Sequence, residues 1–336
     1  MKTKSLLAII VLIFLSGNLS AQKQKQLPNP KNIIVMIGDG MGFNHIRALN
    51  LYNGKKAQIW EEFPVRLALS HYPAKAGEFE KGVPASNYMA TGYNPSLAWK
   101  DTAYLKRDYT ESAASGTALG TGSKTYNNAI GLSVTHDTLE NLTERAKAIG
   151  KSAGVVTSVP FSHATPAAFT AHNETRKNYS EIAAYMLFDS RCDVIMGCGD
   201  PSFDKNGKPV AGRWKYDSNV VDSLVWTELI AGSGKQTQFR VNESVETVQD
   251  INGDRKPDAW TLVRSRDEFQ KLQRGKTPHR VLGVPMVGST LQQGRSTKNG
   301  ETKDSEPFVT PFIETVPTLK EMSLAAINVL DNNKNG

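Results

Sequence analysis

Thr110-Glu111-Ser112-Ala113-Ala114-Ser115-Gly116-Thr117-Ala118-Leu119-Gly120-Thr121-Gly122 is a run of tiny residues with a serine near its head. Its alanines, and the scarcity of β-branched side chains, predict a helix from Ser112 onward. Ser112 then sits at or near a helix N-terminus. Free backbone N–H groups and the positive end of the helix dipole meet there and favour an anion. A serine in that position is either an N-cap or a nucleophile placed to attack phosphate. The stretch by itself favours the cap, because serine is among the preferred capping residues.

Around this run, apolar strand-like segments alternate with helix-like ones. Asn32 to Ile37 reads as a strand ending in Gly38-Asp39-Gly40, followed by a helical pattern from about Gly42 to Tyr52. Leu139, Leu142, Ala146 and Ile149 share one helical face, with Gly150 as a C-terminal stop. Ala153–Val159 predicts a strand, Glu181–Phe188 a helix, Val194–Met196 a strand and Arg280–Val284 another. Pro317–Leu330 predicts a helix with proline in its first turn. This order points to an α/β fold with a mostly parallel sheet. Residues 72–110 read as a long loop leading into the serine. Residues 201–277, polar with scattered aromatics, read as an insertion or subdomain.

Bulk properties narrow the class. The chain has 336 residues, 39% hydrophobic and 22% charged, as expected of a globular protein with its own core. Its formal charge of +7 is spread out, with no dense Lys/Arg block, which argues against a nucleic-acid surface. Lys2, Lys4 and the apolar run Leu6–Leu15 read as a signal peptide, with cleavage after Ala21. That run is too short to span a bilayer, so the expectation is an exported protein, periplasmic or secreted, without a membrane span. Cys192 and Cys198 flank a predicted strand. Six residues of strand cover roughly 20 Å, whereas a disulfide needs Cα atoms within about 7 Å. Two free thiols are expected.

Several residues have the chemistry for a site. Asp39 follows a predicted strand, and the carboxyl ends of parallel strands are where α/β folds place ligands. A carboxylate there is either a cation ligand or a turn and capping residue. His163-Ala164-Thr165-Pro166 follows the next strand. His163 and Thr165 suit a metal site, and Thr165 as N-cap with Pro166 at the first helical position is the structural alternative. Arg176 has the planar fork that grips phosphate, although a lone arginine is more often a surface residue. Asp250 to Asp258 spaces oxygens as calcium loops do, but Arg255 stands where the sharp-turn glycine belongs, so a polar turn is preferred.

Taken in order, these motifs resemble the alkaline phosphatase family. The resemblance rests on Asn32–Gly42, on Thr110–Gly122 continuing through Ser123-Lys124-Thr125-Tyr126-Asn127, on His163–Ala168 with Arg176, and on Pro317–Met322. It implies a three-layer α/β/α sandwich and phosphomonoester hydrolysis through a phosphoserine on Ser112, with two zinc ions and one magnesium. Small phosphate monoesters are the implied substrates, and a homodimer is compatible with it. Asp39 matches a carboxylate shared by the second zinc and the magnesium, and Ser112 a ligand of that zinc. Thr165 matches a magnesium ligand, and His163 a position near the magnesium. Arg176 matches the phosphate-gripping arginine. Glu111 stands where many members have aspartate, a residue that orients the arginine.

The remaining zinc ligands of the family fall beyond the position matching Gly336. Of six histidines, only His163 lies in a matching motif. The sequence therefore predicts a catalytic domain over 22–336, incomplete at its C-terminus, with a polar insertion at about 201–277. Two rival readings follow: a non-catalytic fragment with weak anion or metal binding, and a related metal-dependent phosphodiesterase. A sulfatase is disfavoured, since no Cys-x-Pro-x-Arg motif occurs.

Overall fold

A computed structural model of the protein describes residues 30–69, 71–74, 95–106, 109–212, 220–232, 235–241, 243–295 and 310–336. The expected signal peptide and its cleavage point lie outside the described residues, as does most of the stretch 72–110, whose described part is not all loop but holds a helix at Pro95–Lys100 and a 3-10 turn at Tyr104–Lys106. The chain divides into two units, residues 1–36 and 37–336. Among the described residues, no helix is long and apolar enough to cross a membrane.

The second unit begins with helix α1 (Phe43–Tyr52), a short α2 (Pro95–Lys100), α3 (Ser112–Thr121) and α4 (Leu142–Ala148). Alternation then sets in. Strand β1 (Gly154–Pro160) leads to the one-turn helix α5 (Ala164–Ala167) and to α6 (Tyr179–Ala184). A π-helical turn, Tyr185–Asp189, extends α6 before β2 (Val194–Cys198). Helix α7 (Ser223–Ala231) precedes a hairpin of β3 (Gln238–Val241) and β4 (Ser244–Thr247). The chain continues through β5 (Thr261–Val263), α8 (Arg266–Leu272), β6 (Val281–Gly283) and α9 (Leu319–Leu330).

The main sheet has the order β1-β2-β6-β5 and is parallel throughout. The inner strand β2 shows the layering. Successive side chains of a strand point to opposite faces. Val194, Met196 and Cys198 pack with Phe269 and Leu272 of α8 and with Met322, Ala325 and Val329 of α9. Ile195 packs on the other side with Ile182 of α6, Met186, Leu187, Trp226 of α7 and Trp260. Every residue of β2 is buried, which is why its sequence is continuously apolar rather than alternating. Fully burying a side chain such as Ile195 or Met196 contributes about 2 kcal/mol. Cys192 and Cys198 are free and buried, as the strand between them requires.

Several expectations are corrected. Among the described residues Asn32–Ile37 forms no ladder, and Ile33 through Ile37 are exposed. An apolar run becomes a strand only where a neighbouring edge takes its hydrogen bonds. The helix expected from Leu139 starts at Leu142, because Asn141 caps it by accepting the N–H groups of Thr143 and Glu144. Its apolar stripe is not buried, since Leu142 and Ile149 are exposed. Pro317 lies ahead of the helix it was expected to enter, because Thr318 is the cap and α9 begins at Leu319. Residues 201–277 hold the separate β3–β4 hairpin but also β5, which pairs with β6 in the main sheet.

Candidate functional site

Ser112 is the first residue of α3, and the cap is Glu111. The Glu111 carboxylate accepts the N–H groups of Ala113 at 2.9 Å and Ala114 at 3.0 Å, two donors that the helix itself leaves unpaired. This arrangement leaves the Ser112 hydroxyl out of the capping role. Its Oγ instead accepts from Arg176 Nη1 at 2.6 Å. The same nitrogen donates to Glu111 Oε2 at 2.5 Å. Burial works to raise the Glu111 carboxyl. The N–H groups of Ala113, Asn128 and Ala114, together with Arg176, outweigh it and hold the group below its ordinary value.

The tiny residues of α3 serve its packing. A Cβ on Gly116 would lie 3.0 Å from the Ala168 Cβ, and one on Gly120 would lie 2.8 Å from the Ala168 carbonyl oxygen. Only a helix without side chains at these positions approaches the α5 segment so closely. Gly116 and Gly120 thereby join the element carrying Ser112 to the element carrying Thr165.

At α5 the N-cap position is held by His163, so the alternative with Thr165 as cap and Pro166 first is not realised. Inside the helix, the Thr165 hydroxyl donates to Asp39 Oδ2 at 3.3 Å. His163 stacks on the Tyr179 ring, with centroids 5.1 Å apart. Burial, and then the positive charge of Arg176, push its imidazole down to about 4. It is therefore neutral near neutral pH, and its Nε2 is buried without a hydrogen-bond partner.

These donors allow a test of fit for a cation. Asp39 and Thr165 offer hard oxygens, the kind magnesium takes. His163 Nε2 is an orphaned buried nitrogen on the same turn as Thr165, and a neutral imidazole is a common metal ligand. Zinc fits less well. A catalytic zinc takes three protein ligands, and no group of three or more His, Cys, Asp or Glu side chains converges among the described residues.

The structure thus joins Ser112, Glu111 and Arg176 directly and Asp39 to Thr165 by one hydrogen bond, while His163 holds the N-cap position of the helix that carries Thr165. The Asp250 loop is separate. Its carboxylate accepts the N–H groups of Asn252 at 3.1 Å, Gly253 at 2.6 Å and Arg255 at 2.7 Å, with Arg255 at φ 68°. Those oxygens close a polar turn. Asn127 and Asn128 are two further residues of the site that have no role in the motifs above. Asn127 Oδ1 accepts the Glu111 N–H at 3.3 Å, and Asn127 Nδ2 donates to Tyr109 O at 2.9 Å. The available signal was an Asn-Asn pair shortly after the helix, since asparagine tolerates left-handed backbone.

A family model described as alkaline phosphatase matches residues 30–336. Alkaline phosphatase 4 of Bacillus subtilis is 38% identical over 204 residues, covering 58% of this chain and 38% of the relative. The alkaline phosphatase of Escherichia coli is 29% identical over 349 residues, covering 96% of this chain and 62% of the relative. A solved structure of a cold-active alkaline phosphatase from the psychrophile Shewanella sp. matches with a TM-score of 0.53 at 25% identity, covering 89% of this chain and 52% of that one. The chain therefore spans 38% to 62% of the length of these two curated relatives.

Proposed function

The chain belongs to the alkaline phosphatase family, and from that premise we propose that its site hydrolyses phosphate monoesters through a phosphoserine on Ser112. The observation that carries the reading is the Arg176 nitrogen bonded to both Ser112 Oγ and Glu111 Oε2. A guanidinium held beside a serine is set to grip a phosphate with its ordering cost already met.

In this reading the phosphate oxygens of a monoester lie against Arg176, whose planar fork suits two of them. Ser112 Oγ attacks phosphorus in line as the ester P–O bond breaks, and the alcohol leaves with a proton. Water then attacks the phosphoserine, the bond to Ser112 Oγ breaks, and inorganic phosphate departs. Two inversions give retention at phosphorus. Arg176 neutralises charge on the transferring group. Glu111 keeps Arg176 in place between the two displacements.

The family's chemistry uses metal ions. When bound, a divalent cation supplies charge that eases loss of the serine proton and shields the phosphoryl oxygens. Asp39 and Thr165, with His163, are the residues that would hold magnesium. Asp39 and Ser112 are two of the ligands a zinc ion would need, and they do not make a zinc site alone. Residues 22–336 are read as one catalytic domain, and the leader as a signal for export to the periplasm or beyond.

The small number of zinc ligands among the described residues favours a second reading, in which this chain binds phosphate without turning esters over. One experiment separates the two. Zinc is titrated into the protein with magnesium present, and hydrolysis of a chromogenic phosphate monoester is followed for the wild type and Ser112→Ala. Stoichiometric zinc binding, with turnover lost in Ser112→Ala, supports the enzyme. Phosphate binding without turnover supports the second reading. Faster hydrolysis of a chromogenic diester would instead place the chain with the phosphodiesterases.

A further inference from the structure

We propose that Asn128 is a positioning residue whose left-handed backbone sets the spacing between Ser112 and Arg176. The inference rests on the reading of those two residues as a phosphate site. Asn128 has φ 78°, a conformation most side chains avoid. In it, the residue grips both halves of the site with backbone atoms alone. Its N–H donates to Glu111 Oε1 at 2.8 Å, and its C=O accepts the N–H of Arg176 at 2.8 Å. Glu111 caps the helix that starts with Ser112, so a single residue ties the serine's helix to the arginine's backbone.

The neighbouring residues extend this link in both directions. Asn127 holds the Glu111 N–H and the Tyr109 carbonyl. The Thr117 hydroxyl of α3 donates to Ala129 O at 3.1 Å and accepts the Gly131 N–H at 3.0 Å. Ile130 and Asn173 exchange both backbone hydrogen bonds at 2.9 Å. Residues 127–131 therefore form a splint, stitched to α3 on one side and to the segment leading into Arg176 on the other. The splint reaches its catalytic end at Asn128. If φ there moved to the usual negative range, the N–H and C=O could not face Glu111 and Arg176 at once.

Because both contacts are made by the backbone, the identity of residue 128 matters through the conformations it permits. Glycine adopts positive φ freely, whereas a β-branched residue resists it. The test compares wild type, Asn128→Gly and Asn128→Val by crystal structure and by titration with inorganic phosphate. In Asn128→Gly the Ser112 Oγ–Arg176 Nη1 contact should remain a hydrogen bond, with phosphate affinity close to wild type. In Asn128→Val that contact should open while α3 stays folded, and phosphate affinity should fall on the order of 10- to 100-fold, the scale of a small misplacement in a preorganised site.

A cycle with Glu111→Ala adds a readout that lost stability alone would not move. The effect of Asn128→Val on affinity should shrink once Glu111 is gone. If Asn128→Val does not fold, Asn128→Ala makes the same comparison with less strain. A folded variant with the Ser112–Arg176 contact unchanged would overturn the proposal. If wild type binds no phosphate, the functional reading falls, and the distances in the crystal structures still decide this one.

Discussion

Glu111 does two things at residue scale. It caps α3 and it holds Arg176 against Ser112. Glu111→Ala should therefore lower stability by about 1 kcal/mol through the lost cap, and also loosen Arg176. Urea unfolding reads the first effect, and phosphate titration the second. A variant with normal affinity would separate Glu111 from the arginine. The double role also explains what was legible. Ser112, Arg176, Asp39 and Thr165 each have a structural alternative when read alone, and it is the order of their motifs, through the resemblance, that groups them as one candidate site. The cap did not stand out, because glutamate is not among the usual capping residues and serine is. Here the contacts with Asn128 and Arg176, distant in sequence, fix the carboxylate over the helix end. Asn128 acts through its backbone, and a backbone contact leaves little trace in a sequence.

At the scale of elements, the contact between α3 and α5 is the joint on which the site depends. Gly120→Ala gains up to about 1 kcal/mol of helix propensity. It also forces a Cβ to within 2.8 Å of the Ala168 oxygen, on the backbone of a buried segment. Overpacking of this kind costs about 1 to 3 kcal/mol, so the variant should melt at a lower temperature than wild type. A raised melting temperature would mean that α5 gives way easily. The elements legible in the sequence were those whose burial imposes a pattern. β2 and β6 are apolar and buried throughout, α9 buries Met322, Ala325, Ala326 and Val329 as one helical stripe, and the half-buried β1 is marked by its valines. β5 was not legible, because three residues in a polar stretch carry too little pattern, and its pairing with β6 is made across distant sequence. Asn32–Ile37 shows the converse: an apolar run with no ladder among the described residues.

For the whole molecule, pH acts on stability through the pair His172–Glu144. His172 Nε2 lies 2.7 Å from Glu144 Oε1, and its Nδ1 lies 2.8 Å from Gly131 O. Burial alone would lower the imidazole, but Glu144 and the Gly131 carbonyl raise it above its ordinary 6.5. Burial likewise opposes ionisation of Glu144, and His172 with the Asn141 N–H lowers it below 4.5. The raised histidine contributes stability that is complete below pH 6.5 and is lost as pH rises through its folded value. The lowered glutamate contributes above pH 4.5 and loses its share as pH falls through its own folded value. The pair is worth most between those limits. His172→Gln should therefore shift the urea midpoint more at about pH 6 than at about pH 9. An equal shift at both would mean that the histidine is neutral in the folded protein.

Phosphoryl transfer to Ser112 can be read directly as a covalent label. The protein, loaded with zinc and magnesium, is incubated with labelled inorganic phosphate, quenched in acid and digested, and the label is mapped by mass spectrometry. Phosphoserine should form at Ser112, be absent in Ser112→Ala and be strongly reduced in Arg176→Ala. Label on another residue, or an unchanged yield in Ser112→Ala, would contradict it.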